Sequence, residues 1–167
     1  MAWPKTLNAA LAACLMAAAL SACGSDSEDA RGTYTLFVTS GSNDCRFADW
    51  TSSSTVTDVV LNLVQSGNDI EATVEGSFRR EIDDFVGGFV FEGSIDGRRI
   101  EATLLGRRPY QLSSCLYSIN VELSAELDED LLGGEMLYRP ATNGNPTCGE
   151  LSACVNRQRF TGARPPQ

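Results

Sequence analysis

The sequence contains no histidine, and Lys5 is its only lysine. Without histidine, Ser-His-Asp and Cys-His nucleophilic sites and the common histidine-liganded zinc enzymes cannot be built. The 22 acidic residues outnumber the 13 basic ones and give the chain a net charge of −9. That balance argues against nucleic acid and against electrostatic binding to anionic lipid headgroups. No catalytic signature stands out, so we expect a protein that is not an enzyme.

The sequence also lacks an apolar run long enough for a permanent membrane-spanning helix. The one candidate, Leu7 to Leu20, is interrupted by Asn8, whereas a spanning helix needs ~20 consecutive apolar residues. Lys5 and the amino terminus supply positive charge before this run, and small residues follow it. Residues 1–22 are therefore predicted to be an export signal.

The end of that signal, Leu20-Ser21-Ala22-Cys23, resembles the lipobox of bacterial lipoproteins. The resemblance implies that Cys23 is acylated and becomes the mature amino terminus, anchored in the membrane of the bacterial cell envelope. In that family an Asp after the cysteine tends to retain the protein at the inner membrane. Gly24 occupies this position, which implies the outer membrane. Ordinary secretion, with cleavage near Ala22, is the alternative.

Four cysteines remain after Cys14 in the signal and Cys23: Cys45, Cys115, Cys148 and Cys154. An even number in an exported chain predicts two disulfides. We favour Cys148 with Cys154 and Cys45 with Cys115, while a Cys45–Cys154 bridge stays open because it would join strands that become neighbours if the sheet closes. A zinc site would need all four thiolates, and the paired Cys-x-x-Cys spacing is missing. We expect no metal and no cofactor.

The mature chain is expected to form one domain of 32–164 with a short tail at 165–167. Residues 23–31 comprise the lipidated cysteine and a small, acidic stretch that we expect to be a disordered tether.

Apolar residues of the domain recur at every second position, which indicates strands. The clearest case is Ile119 to Asp128, where apolar and polar residues alternate throughout. No sustained helical period occurs after the signal. We count eight strands, around 34–39, 58–63, 70–75, 89–95, 99–104, 119–128, 131–138 and 156–161. The pattern predicts an all-β, eight-stranded antiparallel up-and-down meander that closes into a small barrel, with a β-sandwich as the alternative.

Short turns follow the even strands and long connections follow the odd ones. In a meander this alternation places all the long loops, and the four cysteines beside them, at one end of the barrel. The amino terminus enters at the other end.

Gly32-Thr33-Tyr34 loosely resembles the Gly-x-Trp opening of lipocalins, which are calycin-type barrels, although Tyr stands in place of Trp. The resemblance implies that an arginine near the last strand, Arg157, Arg159 or Arg164, caps this segment. It also implies a barrel that holds one small ligand. Unlike that family, we expect no helix after the barrel, because Pro165-Pro166-Gln167 follow the last strand region.

Two arginine pairs in long loops, with aromatic residues nearby, form a candidate ligand mouth for an anionic group. These residues are Arg79, Arg80, Phe85, Arg107, Arg108 and Tyr110. Alternatively, Arg79 and Arg80 balance Glu81, Asp83 and Asp84 on a solvated surface. The acidic runs at Asp83-Asp84 and 126–130 are candidates for calcium binding or for an acid/base pair. We expect them to be solvated turns, because neither run has the alternating ligand positions of a calcium loop.

Our first hypothesis is a membrane-anchored lipoprotein that binds a small apolar or amphipathic ligand in or at the mouth of the barrel. The second is a structural or interaction lipoprotein with a filled barrel that contacts another envelope protein. Cavity volume separates them, since ligand pockets usually measure ~300–1,000 Å³.

Overall fold

The computed structural model describes residues 27–166 and contains nine strands and one α-helix in that range. The strands are β1 Gly32–Ser40, β2 Thr55–Ser66, β3 Asp69–Glu75, β4 Val90–Asp96, β5 Arg99–Leu104, β6 Tyr110–Leu112, β7 Cys115–Asp128, β8 Leu131–Thr142 and β9 Asn156–Ala163. The helix α1 is Phe78–Val86, and a short 3₁₀ segment covers Pro146–Ser152. Within 27–166, neither is long and apolar enough to cross a bilayer.

Eight of the strands form a closed antiparallel barrel, as the sequence predicted. Neighbouring strands follow the order β5-β4-β3-β2-β1-β9-β8-β7, and β5 pairs with β7 to complete the circle. All eight predicted strands are present, and the sandwich does not form. The ninth strand, β6, was not predicted. It pairs with the first residues of β7 and forms a short hairpin that extends the barrel at the end where the long loops lie.

The short helix α1 occupies the connection between β3 and β4, which we predicted to be a long loop. Its buried residues Phe78, Ile82 and Val86 are spaced four apart and lie on one face of the helix. Gly87 ends it in the left-handed conformation and donates its N–H to the Asp83 carbonyl. Nine residues give only two and a half turns, too few for a sustained period in the sequence.

The barrel interior is occupied by large side chains from every side of the circle. Alternate residues of each strand point inward, and many of the bulkiest are fully buried: Tyr34, Phe91, Phe160, Ile95, Ile100, Ile119, Leu127 and Leu132. Inward Ala72, Ala102 and Ala125 leave room for these neighbours. The alternation seen in the sequence is therefore the alternation between core and outer wall.

The short turns lie together at one end, which we call the closed end. Residues 27–31, expected to be part of a disordered tether, instead pack on this end. Ala30 is fully buried and its N–H donates to Gln65 Oε1 at 2.8 Å, while the Glu28 N–H donates to the Gly97 carbonyl at 2.9 Å. The Ser27 hydroxyl donates to Asn68 Oδ1 at 3.0 Å. Residues 27–31 are therefore part of the folded domain, because backbone donors of this segment find acceptors at the closed end.

Arg164 fills the closed end beside Tyr34. Its guanidinium carbon lies 5.5 Å from the centre of the Tyr34 ring, and its Nε donates to Asp130 Oδ1 at 2.9 Å. A second guanidinium nitrogen donates to the carbonyls of Asp29 and Arg31. Of the three candidate capping arginines, Arg164 is the one at Tyr34. Arg157 pairs with Glu135 on the outer wall.

Candidate functional site

Two disulfides brace the long loops at the other end, which we call the loop end. The number was predicted correctly, but the favoured pairing was wrong. Cys45 bonds to Cys154, with Cα atoms 5.1 Å apart, and Cys115 bonds to Cys148, with Cα atoms 4.9 Å apart. Because the barrel closes through β1 and β9, the loop after β1 lies beside the start of β9. The Cys45–Cys154 bridge, which we left open because closure would make these strands neighbours, is the one that forms.

Asn156 holds the loop between β1 and β2 in place. Its side chain is fully buried, its Oδ1 accepts the Cys45 N–H at 2.9 Å, and its Nδ2 donates to Asn43 Oδ1 at 2.9 Å. Asn43 in turn bonds to both backbone polar groups of Phe47 at 2.8 Å. A single buried amide therefore connects β9 to a loop that has no secondary structure of its own.

The loop end carries a cluster of aromatic rings around Phe85 of α1. Its ring lies 5.5 Å from Phe47, 6.4 Å from Trp50, 6.5 Å from Tyr110 and 5.9 Å from Tyr138, measured between centroids. Trp50 and Tyr138 approach edge to face at 5.1 Å. These rings join the β1–β2 loop, the helix, β6 and β8 into one surface and cover the top of the barrel.

Under this cluster lies a partly open cavity of about 160 Å³, which we call the mouth pocket. It is lined by Ser40, Asp49, Trp50, Thr51, Ser54, Val56, Phe78, Glu81, Ile82, Phe85, Tyr138 and Gln158. Its floor is a chain of hydrogen bonds in which the Tyr138 hydroxyl donates to Gln158 Oε1 at 2.6 Å and Gln158 Nε2 donates to Ser40 Oγ at 3.0 Å. Burial raises the pKa of Tyr138, so this hydroxyl is a neutral donor.

The structure does not bring the predicted mouth residues together. Phe85 lines the mouth pocket, and Tyr110 lies beside it with its hydroxyl donating to the Phe85 carbonyl at 2.6 Å. The four arginines lie outside it. A guanidinium nitrogen of Arg108 lies 3.8 Å from Asp84 Oδ1, and both side chains are exposed. Such an ion pair on the surface balances charge and does not form a ligand site.

Arg79 and Arg107 instead flank a shallow groove on the outer wall. Arg79 covers the Phe89 ring at 3.7 Å, and Arg107 lines the groove with Phe89 and Leu105. The groove measures about 330 Å³. Arg80 is exposed on α1 and lines neither cavity. A wider depression of about 630 Å³ lies outside the barrel beside Cys154 and contains none of the predicted mouth residues.

Trp50, Gln158 and Ser40 were missed as pocket residues. Phe47 and Trp50 are the two aromatic residues of the otherwise mostly polar β1–β2 loop, and two large rings in such a loop would have been a usable signal of a packed structure. Gln158 and Ser40 give a weaker signal, because each is a polar residue at an inward position of a strand. Tyr138 occupies an inward position of β8 and is buried.

Within residues 27–166, no group of three or more acidic or cysteine side chains has the arrangement of a metal site. Cys23, the predicted lipidation site, lies outside the described residues. No protein-family model matches the chain, and neither curated proteins nor solved structures give a significant match.

Proposed function

We propose that the protein is a lipid-anchored lipoprotein of the bacterial cell envelope, not an enzyme, with a filled barrel that contacts another envelope protein through its loop end. The anchor rests on the lipobox resemblance at Cys23, and Gly24 favours the outer membrane. Several acyl chains on one cysteine would hold the protein firmly, since each buried methylene contributes ~0.8 kcal/mol.

The observation that carries this proposal is the packed interior. The mouth pocket of about 160 Å³ is smaller than the ~300 Å³ at the lower limit of ordinary ligand pockets. Below it the barrel is occupied by Tyr34, Phe91, Phe160 and aliphatic residues. A ligand the size of a lipid would have to displace several of these side chains. The filled barrel therefore favours an interaction protein over a carrier of apolar molecules.

The attachment of residues 27–31 supports a defined orientation on the membrane. Ser27 follows Cys23 by only four residues, which span at most about 14 Å at ~3.3–3.6 Å per residue. Because Ser27 is held on the closed end, an anchored Cys23 would keep that end near the bilayer surface. The loop end would then face away from the anchor, toward other envelope components.

The loop end has the features of a recognition surface on a rigid scaffold. Both disulfides, the buried Asn156 and the aromatic cluster limit the movement of its loops. Leu105, Leu112 and Leu116 are 64%, 57% and 50% exposed in or beside the β6–β7 hairpin. Apolar side chains on restrained loops can bind a partner with little loss of conformational entropy.

The anchor is tested by feeding the host a fatty acid that carries an alkyne and detecting label on the purified protein. We expect label on the wild-type protein and none on a Cys23→Ala variant. Label retained after this substitution would refute acylation at Cys23.

The interaction is tested by placing a photo-crosslinking amino acid at Leu112 or Leu116 of the loop end and, as a control, at Glu71 of the outer wall. We expect a discrete crosslinked species from the loop-end positions and none from Glu71. The same species from all three positions would show unspecific crowding, and its absence at Leu112 and Leu116 would contradict the proposal.

A further inference from the structure

The mouth pocket combines aromatic rings with carboxylates and lacks basic side chains. Trp50, Phe85 and Tyr138 supply the rings, and Asp49 and Glu81 supply the negative charge. This composition is the opposite of the basic mouth that the sequence suggested. We propose that the mouth pocket binds a small organic cation, namely an ammonium group that carries methyl or methylene substituents.

The rings are positioned before any ligand arrives. The Trp50 indole N–H donates to the Gly41 carbonyl at 3.2 Å, and the ring packs edge to face on Tyr138. Phe85 projects from α1, which Ile82 and Val86 fix to the barrel. An aromatic face attracts an ammonium ion through its quadrupole, and Trp does so most strongly.

The charges around the pocket favour a cation. Asp49 and Glu81 line it, and within residues 27–166 neither has a basic group within 4.0 Å. Arg108, whose guanidinium carbon lies 6.0 Å from the Tyr110 ring centre, is paired with Asp84 and does not line the pocket. Arg79 is stacked on Phe89, at the outer groove.

Size and polarity also limit the occupant. The pocket holds about 160 Å³, room for about five water molecules at ~30 Å³ each. An acyl chain does not fit in that volume, whereas an ammonium group with a few carbon atoms does. Oxygen atoms of Ser40 and Gln158 at the floor can also accept a hydrogen bond from an N–H or O–H group of the ligand.

The inference does not depend on the membrane anchor. The cation is either a free small molecule, such as a choline-like quaternary amine, or the end of a lysine side chain on a partner protein. Both sources offer the same chemistry, an ammonium charge beside apolar carbons.

The test uses fluorescence of the full-length protein carrying Trp3→Phe, so that Trp50 is the only tryptophan. The protein is purified in a non-ionic detergent and titrated with choline, with its uncharged analogue 3,3-dimethylbutan-1-ol, and with N-acetyl-lysine amide. We expect a saturable change in Trp50 emission with at least one cation, and an apparent Kd about tenfold weaker or more for the uncharged analogue. Saturation by choline indicates a free ligand, and saturation by the lysine derivative alone indicates a partner's side chain.

Variants separate pocket binding from nonspecific effects. Glu81→Gln and Asp49→Asn should each weaken the apparent Kd for the cation about three- to tenfold, whereas Glu71→Gln on the outer wall should leave it unchanged. By calorimetry, Trp50→Leu should abolish binding and Trp50→Phe should retain part of it, with cooperative thermal unfolding as the check on folding. Equal affinity for the charged and uncharged probes, or no response of folded protein to either cation, would overturn the inference.

Discussion

Asn156 connects the barrel wall to the β1–β2 loop through both ends of its side-chain amide. Its replacement by Ala would leave the Cys45 N–H and the Asn43 side chain without their buried partner. We expect Asn156→Ala to lower the free energy of unfolding by about 3 kcal/mol, near the upper end of the cost of an unsatisfied buried group. Urea denaturation measures the change.

The control for this variant is Thr35→Ala, an exposed position on β1 that should change stability by less than about 0.5 kcal/mol. A loss no larger than that of the control would mean that Asn156 does not hold the loop.

Tyr34 gives the protein a predictable response to alkaline pH. Burial raises its pKa to about 12, mainly because the phenolate would lose hydration, although Arg164 acts in the opposite direction. The unfolded chain ionises this group near pH 10. Its stabilising contribution is therefore complete below pH 10 and is lost as the pH rises toward 12.

A Tyr34→Phe variant should be less stable at pH 7 by about 1 kcal/mol, since the hydrogen bond to the Ala30 carbonyl is lost. Its unfolding free energy should also fall less steeply between pH 10 and pH 12. Denaturation at a series of pH values tests both effects. An unchanged slope would show that Tyr34 ionises normally in the folded protein.

At the scale of elements, the two disulfides close segments of the chain that differ in length. Cys45 and Cys154 are separated by 109 residues, and Cys115 and Cys148 by 33. In the chain-entropy account the longer loop gives the larger stabilisation, by about 1 kcal/mol for this pair of lengths. The Cys45→Ser/Cys154→Ser protein should therefore unfold at lower urea than the Cys115→Ser/Cys148→Ser protein. The reverse order would contradict this explanation, and peptide mapping checks the remaining bridge.

Gly134 of β8 marks a place where two strands approach too closely for a side chain. A Cβ atom there would lie 2.2 Å from the Ser124 carbonyl oxygen of β7. Gly133, the preceding residue, is a matched control because the nearest atoms lie 4.0 Å from its Cβ position. We expect Gly134→Ala to cost about 3 kcal/mol, whereas Gly133→Ala should be close to neutral. Similar thermal shifts for the two variants would mean that the strands can separate at little cost.

The strands could be predicted because each has one face in the core and one in water. The alternation of apolar and polar residues from Ile119 to Asp128 follows from these two different environments alone. Helix α1 is harder to recognise, because the helical spacing of its apolar residues Phe78, Ile82, Phe85 and Val86 covers only nine residues. The hairpin strand β6 has three residues, of which two are exposed, and gives no period.

The disulfide pairing and the pocket depend on closure of the barrel. Cys148 and Cys154 are close in sequence, yet they bond to different partners. Cys115 lies at the start of β7, beside the end of its hairpin partner β8, whereas Cys45 comes near Cys154 only because β1 pairs with β9. Likewise Trp50, Glu81 and Gln158 come from a loop, a helix and the last strand. Local sequence patterns contain no information on such distant contacts, so the basic mouth was inferred from arginine pairs that turned out to lie outside it.

At the scale of the whole molecule, the two ends of the barrel differ in structure and, in our proposal, in role. The closed end is sealed by Arg164, Tyr34 and residues 27–31, and the loop end is braced by disulfides and capped by aromatic rings. Both ends are therefore blocked to a large apolar ligand, and contacts with other molecules would be made by the loop end.

Native mass spectrometry of residues 24–167, produced in the envelope of the host and purified without detergent, tests this account most directly. A filled barrel predicts the mass of the polypeptide with two disulfides and no lipid-sized addition, together with cooperative unfolding of the same sample. A small cation in the mouth pocket would add far less mass than a lipid and would agree with the account. The contradicting result is an added mass of lipid size that stays bound at activation energies high enough to remove surface adducts. It would show that the barrel opens to carry an apolar ligand.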